Sequence, residues 1–310
     1  MSTARFIQIG GSCAGCGNYI SVNDGFGIGA GGATDDIIIY QNTIGLNTAS
    51  APRANLNGIE VSGTTQHFTI GGTNPNEGNE IANNVEDGIK ITGSVNGADV
   101  TGNSIHNNGQ LGVDINNDGV TVNDAGDADA GANDVQNFPV ILQAFECNGS
   151  GFTDIEYQTD FETGNSYSVQ FYIADSDDEE GETYLGEHNI TVTAANERFT
   201  YSHSGVIAPG TKIVANAAKV VGVLYRSSEF SAPFTVGAPT PSVSPGNPSI
   251  CGTADGFLRV TYSPPLNPLT NYNVEYTDDG STVGPSLMMT DAAGDMIISS
   301  LDSGTYDQII

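Results

Sequence analysis

Apolar and polar residues alternate in short runs along the first 140 or so positions, with isoleucine and valine on the apolar beats. Alternation of period two predicts half-buried strands, and runs of helical period with caps are missing, so the chain is expected to be all-β. The runs also return at a fixed interval. "IQIGG" at Ile7 comes back as "FTIGG" at Phe68, and "GNYI" at Gly17 as "GNEI" at Gly78, each displaced by 61 residues. That interval divides again. Apolar triplets at Ile7, Ile37, Phe68 and Ala98 step by 30, 31 and 30, and G-[IV] pairs at Gly27, Gly58, Gly88 and Gly112 step by 31, 30 and 24. An N-x-I triplet precedes each pair, at Asn18, Asn42, Asn79 and Asn103.

Strands this short bury nothing alone, so a unit of three strands must stack on its copies, like residue over like residue. The asparagines then fall at turns where their amides can form ladders, and glycines supply corners of positive φ. The stretch "NTASAPRANLN" from Asn47 reads as a loop bulging from one coil. Residues 1–137 are expected to be a parallel β-helix of about four coils with an acidic closing segment.

Beyond "QNFPV" the repeat stops and longer alternating strands begin, such as "SYSVQFYIAD" from Ser166 and "TKIVANAAKVV" from Thr211. They predict an antiparallel β-sandwich over 138–236. "GAPTPSVSPGNPS" from Gly237 reads as a proline-rich linker over 237–248. Residues 249–310 read as a second small sandwich, cut off within a strand at "GTYDQII". The first coil lacks a polar cap, and both ends point to an excerpt of a longer chain or to ends covered by neighbours.

The 310 residues carry 8 Lys+Arg against 37 Asp+Glu, a net charge of −29. Such a chain repels phosphate backbones and anionic lipid, which makes nucleic acid and membrane surfaces poor partners, and neither nucleic-acid binding nor membrane insertion is expected. It suits high salt or divalent cations, which screen self-repulsion. No apolar stretch nears the roughly 20 residues of a membrane helix, and "MSTARFIQIGG" has no signal-peptide pattern. Of the four cysteines, Cys13 and Cys16 form a C-x-x-C in a glycine-rich turn. Free thiols, a local disulfide and a metal or redox role all remain open for them, and the use of Cys147 and Cys251 is undetermined.

The closing segment holds the candidate chemistry. Asp114, Asn116 and Asp118 place oxygen-bearing side chains at alternate positions before Gly119, as an EF-hand loop begins. Ala125 stands where the bidentate glutamate would come, so a true EF-hand is rejected. Asp124, Asp127, Asp129, Asn133 and Asp134 repeat the logic downstream. So many carboxylates brought together need a counter-ion, and calcium, with its many oxygen ligands and tolerant geometry, would serve. The alternative is a solvated acidic turn whose aspartates only bend the backbone. The loop "DSDDEEGE" from Asp175 poses the same choice between a cation site and a solvated tip. Catalysis is not expected: Arg5, Arg53, Lys90, His67 and His106 form no recognisable catalytic set in the repeat region, and Asp35-Asp36 reads as a solvated corner.

The pattern "IGG…GN.I…GI.I.G…N.I" resembles the right-handed parallel β-helix repeats of large secreted bacterial surface proteins. "LGVDINNDGVTVNDAGDADAGANDVQNFPV" looks like the segment that closes those helices. "GETYLGEHNITV…SSEFSAPFTV" resembles the sandwich module that follows them. The stretch from Cys251 is similar to immunoglobulin- or fibronectin-like repeats in giant adhesins of gliding bacteria. The resemblance implies a structural and adhesive segment, secreted or at the cell surface, exported by the type IX route and suited to a filament or hook-like appendage. Its partners would be neighbouring domains, copies of itself as a homo-oligomer, or a surface glycan or other cell-surface ligand. The alternative is a carbohydrate-active or glycan-binding module of the polysaccharide lyase or hydrolase kind.

Overall fold

The structure is a computed structural model that describes residues 5–32, 35–64, 66–146, 151–177, 179–237, 240–246, 256–263, 271–278, 281–293, 295–301 and 306–307. Cys147, Cys251 and Asp178 lie outside these. The described chain is all-β apart from one short 3-10 turn, Ala132–Val135. No helix among the described residues is long and apolar enough to cross a membrane.

Twelve short strands occupy the repeat: β1 (Arg5–Gly10), β2 (Tyr19–Ile20), β3 (Phe26–Ala30), β4 (Asp35–Tyr40), β5 (Thr43–Ile44), β6 (Asn57–Val61), β7 (Gln66–Gly71), β8 (Glu80–Ala82), β9 (Ile89–Ile91), β10 (Ala98–Thr101), β11 (Ser104–His106) and β12 (Val113–Ile115). Every third strand pairs in parallel, giving sheets β1-β4-β7-β10, β2-β5-β8-β11 and β3-β6-β9-β12 in a β-helix-like arrangement. Ile28 lies opposite Ile59 and Ile59 opposite Ile89, so like residues stack as the repeat requires. Ile39, Ile44, Ile59, Ile70, Ile81 and Ile89 have no exposed surface.

Two asparagine ladders run along the stack. Asn18 donates its amide to Asn42 at 2.8 Å, Asn42 to Asn79 at 3.1 Å and Asn79 to Asn103 at 2.9 Å. A second ladder joins Asn23, Asn55, Asn84 and Asn108 over 2.8–2.9 Å. Beyond the exposed first rungs, Asn18 and Asn23, each amide both donates and accepts in a buried corner, where an unpaired polar group is costly.

The glycines of the G-[IV] pairs serve a purpose other than the expected corner. Gly10, Gly45, Gly71 and Gly102 have positive φ, but Gly58 needs space: a Cβ there would lie 2.4 Å from the carbonyl oxygen of Gly88 in the next coil. In the first coil, Cys13 and Cys16 form a disulfide. Three basic groups of the repeat have acidic partners: Lys90 with Glu60 at 3.4 Å, His67 with Asp36 at 3.1 Å and His106 with Glu80 at 3.7 Å.

Next come β13 (Val140–Glu146), β14 (Phe152–Thr159), β15 (Ser166–Ala174), β16 (Gly181–Thr191), β17 (Glu197–Ser204), β18 (Lys212–Val221), β19 (Leu224–Ser227) and β20 (Phe234–Thr235). β15, β16, β18, β19 and β20 make an antiparallel sheet in the order β16-β15-β18-β19, with β20 also on β18. β13, β14 and β17 make a three-stranded sheet. Phe171 of β15 meets Tyr157 of β14 and Tyr201 of β17 at ring distances of 5.2 and 4.9 Å.

The five-stranded sheet covers the last coil. Both oxygens of Glu180 accept bonds from Asn108, from its backbone N–H and its amide, each at 2.9 Å, which ends the second ladder. Glu229 accepts the backbone N–H groups of Ile115 at 2.9 Å and Thr121 at 2.8 Å. Ser227 accepts that of Val100 at 2.8 Å, and the Tyr172 hydroxyl that of Gly102 at 3.0 Å. Phe230, Tyr172 and Val214 continue the isoleucine core. One compact unit comprises Met1–Leu142, Ile155–His203 and Gly210–Thr235, so the stacked coils and the antiparallel sheet that covers them fall in the same unit. A coil edge needs a cover, and this sheet supplies it.

The other unit comprises Gln143–Asp154, Ser204–Pro209 and Val236–Ile310. It holds β21 (Thr240–Gly246), β22 (Gly256–Ser263), β23 (Asn271–Asp278), β24 (Ser281–Met289), β25 (Met296–Leu301) and β26 (Tyr306–Asp307), in sheets β21-β22-β25 and β24-β23-β26. Leu258, Val260, Met296 and Ile298 from the first sheet share a core with Val274 from the second. β21 lies within the stretch 237–248 that reads as a linker. It pairs with β22 at the sheet edge, where prolines such as Pro241 and Pro245 are tolerated.

Truncating a stacked isoleucine, Ile59→Ala, is expected to destabilise by about 2–5 kcal/mol, and breaking a ladder with Asn84→Ala by about 1–3 kcal/mol, both read from urea unfolding. Burial foremost raises Glu180 from 4.5 to about 8 and Glu229 from 4.5 to about 7. Both carboxyls therefore hold their proton more tightly folded than unfolded. Their contribution is complete below 4.5 and is lost as pH rises through about 7 and about 8. Unfolding at about pH 5 and about pH 8.5 should show the protein less stable at the higher pH, with the difference reduced in Glu180→Gln.

Candidate metal centre

The stretch from Asn123 to Phe138 leaves the stack and returns to it, and its ends are tied together. The Asn123 side chain accepts the Phe138 N–H at 3.0 Å and donates to the Phe138 carbonyl at 2.8 Å. Asn137 does more. Its side chain accepts the Asp124 N–H at 3.0 Å and donates to the carbonyls of Asp124 at 2.8 Å and Asp160 at 2.7 Å. Its own N–H donates to Asp127 Oδ1 at 2.7 Å. The "QNFP" that follows the acidic run is thus the clamp that shapes it.

Inside the clamp, one carboxylate oxygen each from Asp124, Asp127 and Asp129 come within 4.8 Å of one another. Asp127 is 7% exposed, and its Oδ2 has no hydrogen-bond partner among the described residues. An orphaned buried oxygen beside two like charges is costly unless protonated or bound to a cation. Burial foremost pushes Asp127 up to about 6, with Asp129 and Asp124 adding to the shift, while the Asn137 N–H and the Lys219 ammonium oppose it. Burial and Asp124 raise Asp129 as well. The donors are all carboxylate oxygens, a set for a hard cation rather than a soft metal.

The other five residues of the expected set are held elsewhere. Asp114 is buried and accepts the N–H groups of Asp118 and Gly119, both at 3.3 Å, which makes it the cap of a turn. Asn116 and Asp118 are exposed on that turn. Asn133 is fully buried and works as a latch: its side chain accepts the N–H of Ala98 at 2.9 Å and donates to the carbonyls of Ala98 at 2.7 Å and Ser227 at 2.9 Å. Asp134 pairs with Arg226 of β19.

Asp175, Asp177 and Glu180 form a second carboxylate group within 4.8 Å. This tip is not simply solvated, because Asp175 and Glu180 are buried. Asp175 accepts the N–H of Asn107 at 2.9 Å, and Glu180 is bonded to Asn108. Burial foremost, then a hydrogen bond that protonated Asp177 donates to Asp175, raises Asp177 to about 6. These oxygens already serve the last coil. The capping role of Glu180 and Glu229 was not apparent in the sequence. Its one visible trace is an acidic residue beside apolar strand positions, in "EEGETY" and "SSEFSA".

No family model matches the chain, and no curated protein sequence matches it.

Proposed function

We propose that the chain is a structural and adhesive segment of a large bacterial protein that is secreted or displayed at the cell surface. In this reading the stacked coils are a right-handed parallel β-helix, the hand that β-crossover connections almost always take. The antiparallel sheets are two sandwiches, one capping the helix and the other following as an immunoglobulin- or fibronectin-like spacer. The observation that carries the reading is the stack itself: continuous isoleucine columns flanked by two asparagine ladders, with Lys90 on an outer face paired to Glu60 of the preceding coil. Such a body is stiff along its axis and suits a shaft. The first coil supports association with a neighbouring domain or a second copy, because Phe6, Tyr19, Val22 and Phe26 are exposed there.

Calcium belongs to the same proposal. It would be held by Asp124, Asp127 and Asp129, with water and backbone oxygens completing its shell, and it would neutralise the charge in the clamped loop. Affinity on the order of 10⁻⁴–10⁻³ M, as in other extracellular modules, would suffice outside a cell.

Antibodies raised against the chain should label intact, unpermeabilised cells of the source organism; labelling only after permeabilisation would overturn the surface reading. For calcium, the wild-type protein should melt a few degrees higher in millimolar Ca²⁺ than in chelator. Asp127→Asn removes the orphaned charge, so in chelator it should melt above wild type, and in Ca²⁺ the order should reverse. Melting curves that ignore calcium in both proteins would remove the ion from the proposal.

A further inference from the structure

A cleft of about 290 Å³ opens where the outer face of the β4-β7-β10 sheet meets β15, β16 and β19. It lies within the first compact unit and well apart in sequence from the acidic loop. Three carboxylates line it, Glu77, Asp99 and Glu187, and no lysine, arginine or histidine does. Each is oriented through one oxygen. Thr101 donates to Asp99 and is itself held by the Gln170 amide at 2.9 Å. Ser168 donates to Glu187 at 3.1 Å, and the Asn74 amide to Glu77 at 2.9 Å. The second oxygen of each has no hydrogen-bond partner among the described residues, and neither do the hydroxyls of Tyr40 and Tyr225 or the amide of Asn189. The cleft therefore presents fixed acceptors, free hydroxyls and two aromatic rings.

Three ligand classes are poor fits. An anion would meet three carboxylates and no cation. A single metal ion needs convergent oxygens, and among the described residues the carboxylate groups that converge within 4.8 Å are the two at Asp124–Asp129 and Asp175–Glu180. An apolar molecule would strand the polar lining. What fits is a ligand with hydroxyl donors spread over several ångströms and an apolar ring face to lie on tyrosine. The volume is near the low end of small-molecule sites, roughly 300–1,000 Å³, so a short saccharide fills it. We propose that this cleft is a binding site for a neutral saccharide, with Tyr40 and Tyr225 as stacking surfaces and Asp99, Glu187 and Asn189 as hydroxyl partners. The site does not depend on the shaft reading, since a cleft of this chemistry would bind sugar wherever the protein resides.

The test is titration of the purified chain with glucose, N-acetylglucosamine, their β-1,4-linked disaccharides and galacturonate, followed by saturation-transfer NMR and calorimetry. At least one neutral sugar should bind and galacturonate should not. Tyr225→Ala and Asn189→Ala, both at the surface of the fold, should each weaken that sugar by about tenfold or more while melting as the wild type does. A cleft that ignores every neutral probe, accepts galacturonate equally, or binds undiminished in both variants overturns the proposal. Neither result bears on surface labelling, so the two proposals fail separately.

Discussion

Parallel coils satisfy their backbones internally except at the two edges of the stack, and an open edge cannot be left bare. At the last coil this single constraint organises the first compact unit. Asn108, Ile115, Val100 and Gly102 each point an N–H outward, and each is met by a side chain from the antiparallel sheet or the loops between its strands. The sheet that looks in sequence like a separate module is therefore the lid of the stack, and its core is continuous with the isoleucine columns.

Carboxyls are unusual partners for this task. Glu180 and Glu229 are nearly completely buried and accept two bonds apiece from the last coil and the segment that follows it. Two convergent donors favour a carboxylate, and burial opposes it. Burial prevails, because Asp114, Asp118, Asp175 and Asp177 add negative charge on the same side. A chain with so few basic residues has little with which to offset them. At these two carboxyls the end of the stack is held by hydrogen-bond geometry rather than by ion pairing.

The repeat was legible because it is local: a fixed step between like residues is visible in one dimension, and the pairing of Ile28, Ile59 and Ile89 follows from it. The first asparagine ladder was legible because each of its members heads an N-x-I triplet. The second was hidden, because Asn55 stands three residues before its glycine while Asn23, Asn84 and Asn108 stand four before theirs. The acidic run was visible as a whole but not its division of labour. Asn133 and Asp134 resemble ligands in sequence, yet tertiary partners in β19 claim them. Non-local partners also explain Thr240–Gly246, whose prolines read as linker until a neighbouring strand is present.

The corners of the stack are not bound to the interval that the strands obey. From Asn18 to Asn42 is 24 residues, from Asn42 to Asn79 is 37 and from Asn79 to Asn103 is 24, yet the rungs stay in register. The loop after Leu46 closes on itself, with Asn47 holding Ala49 and Ala51 and a bridge from Leu46 to Pro52. Length can therefore be added at such a corner without moving a rung. The loop is thus separate from what holds the coils together, so an epitope or a foreign peptide could be grafted into it while the stack keeps its register.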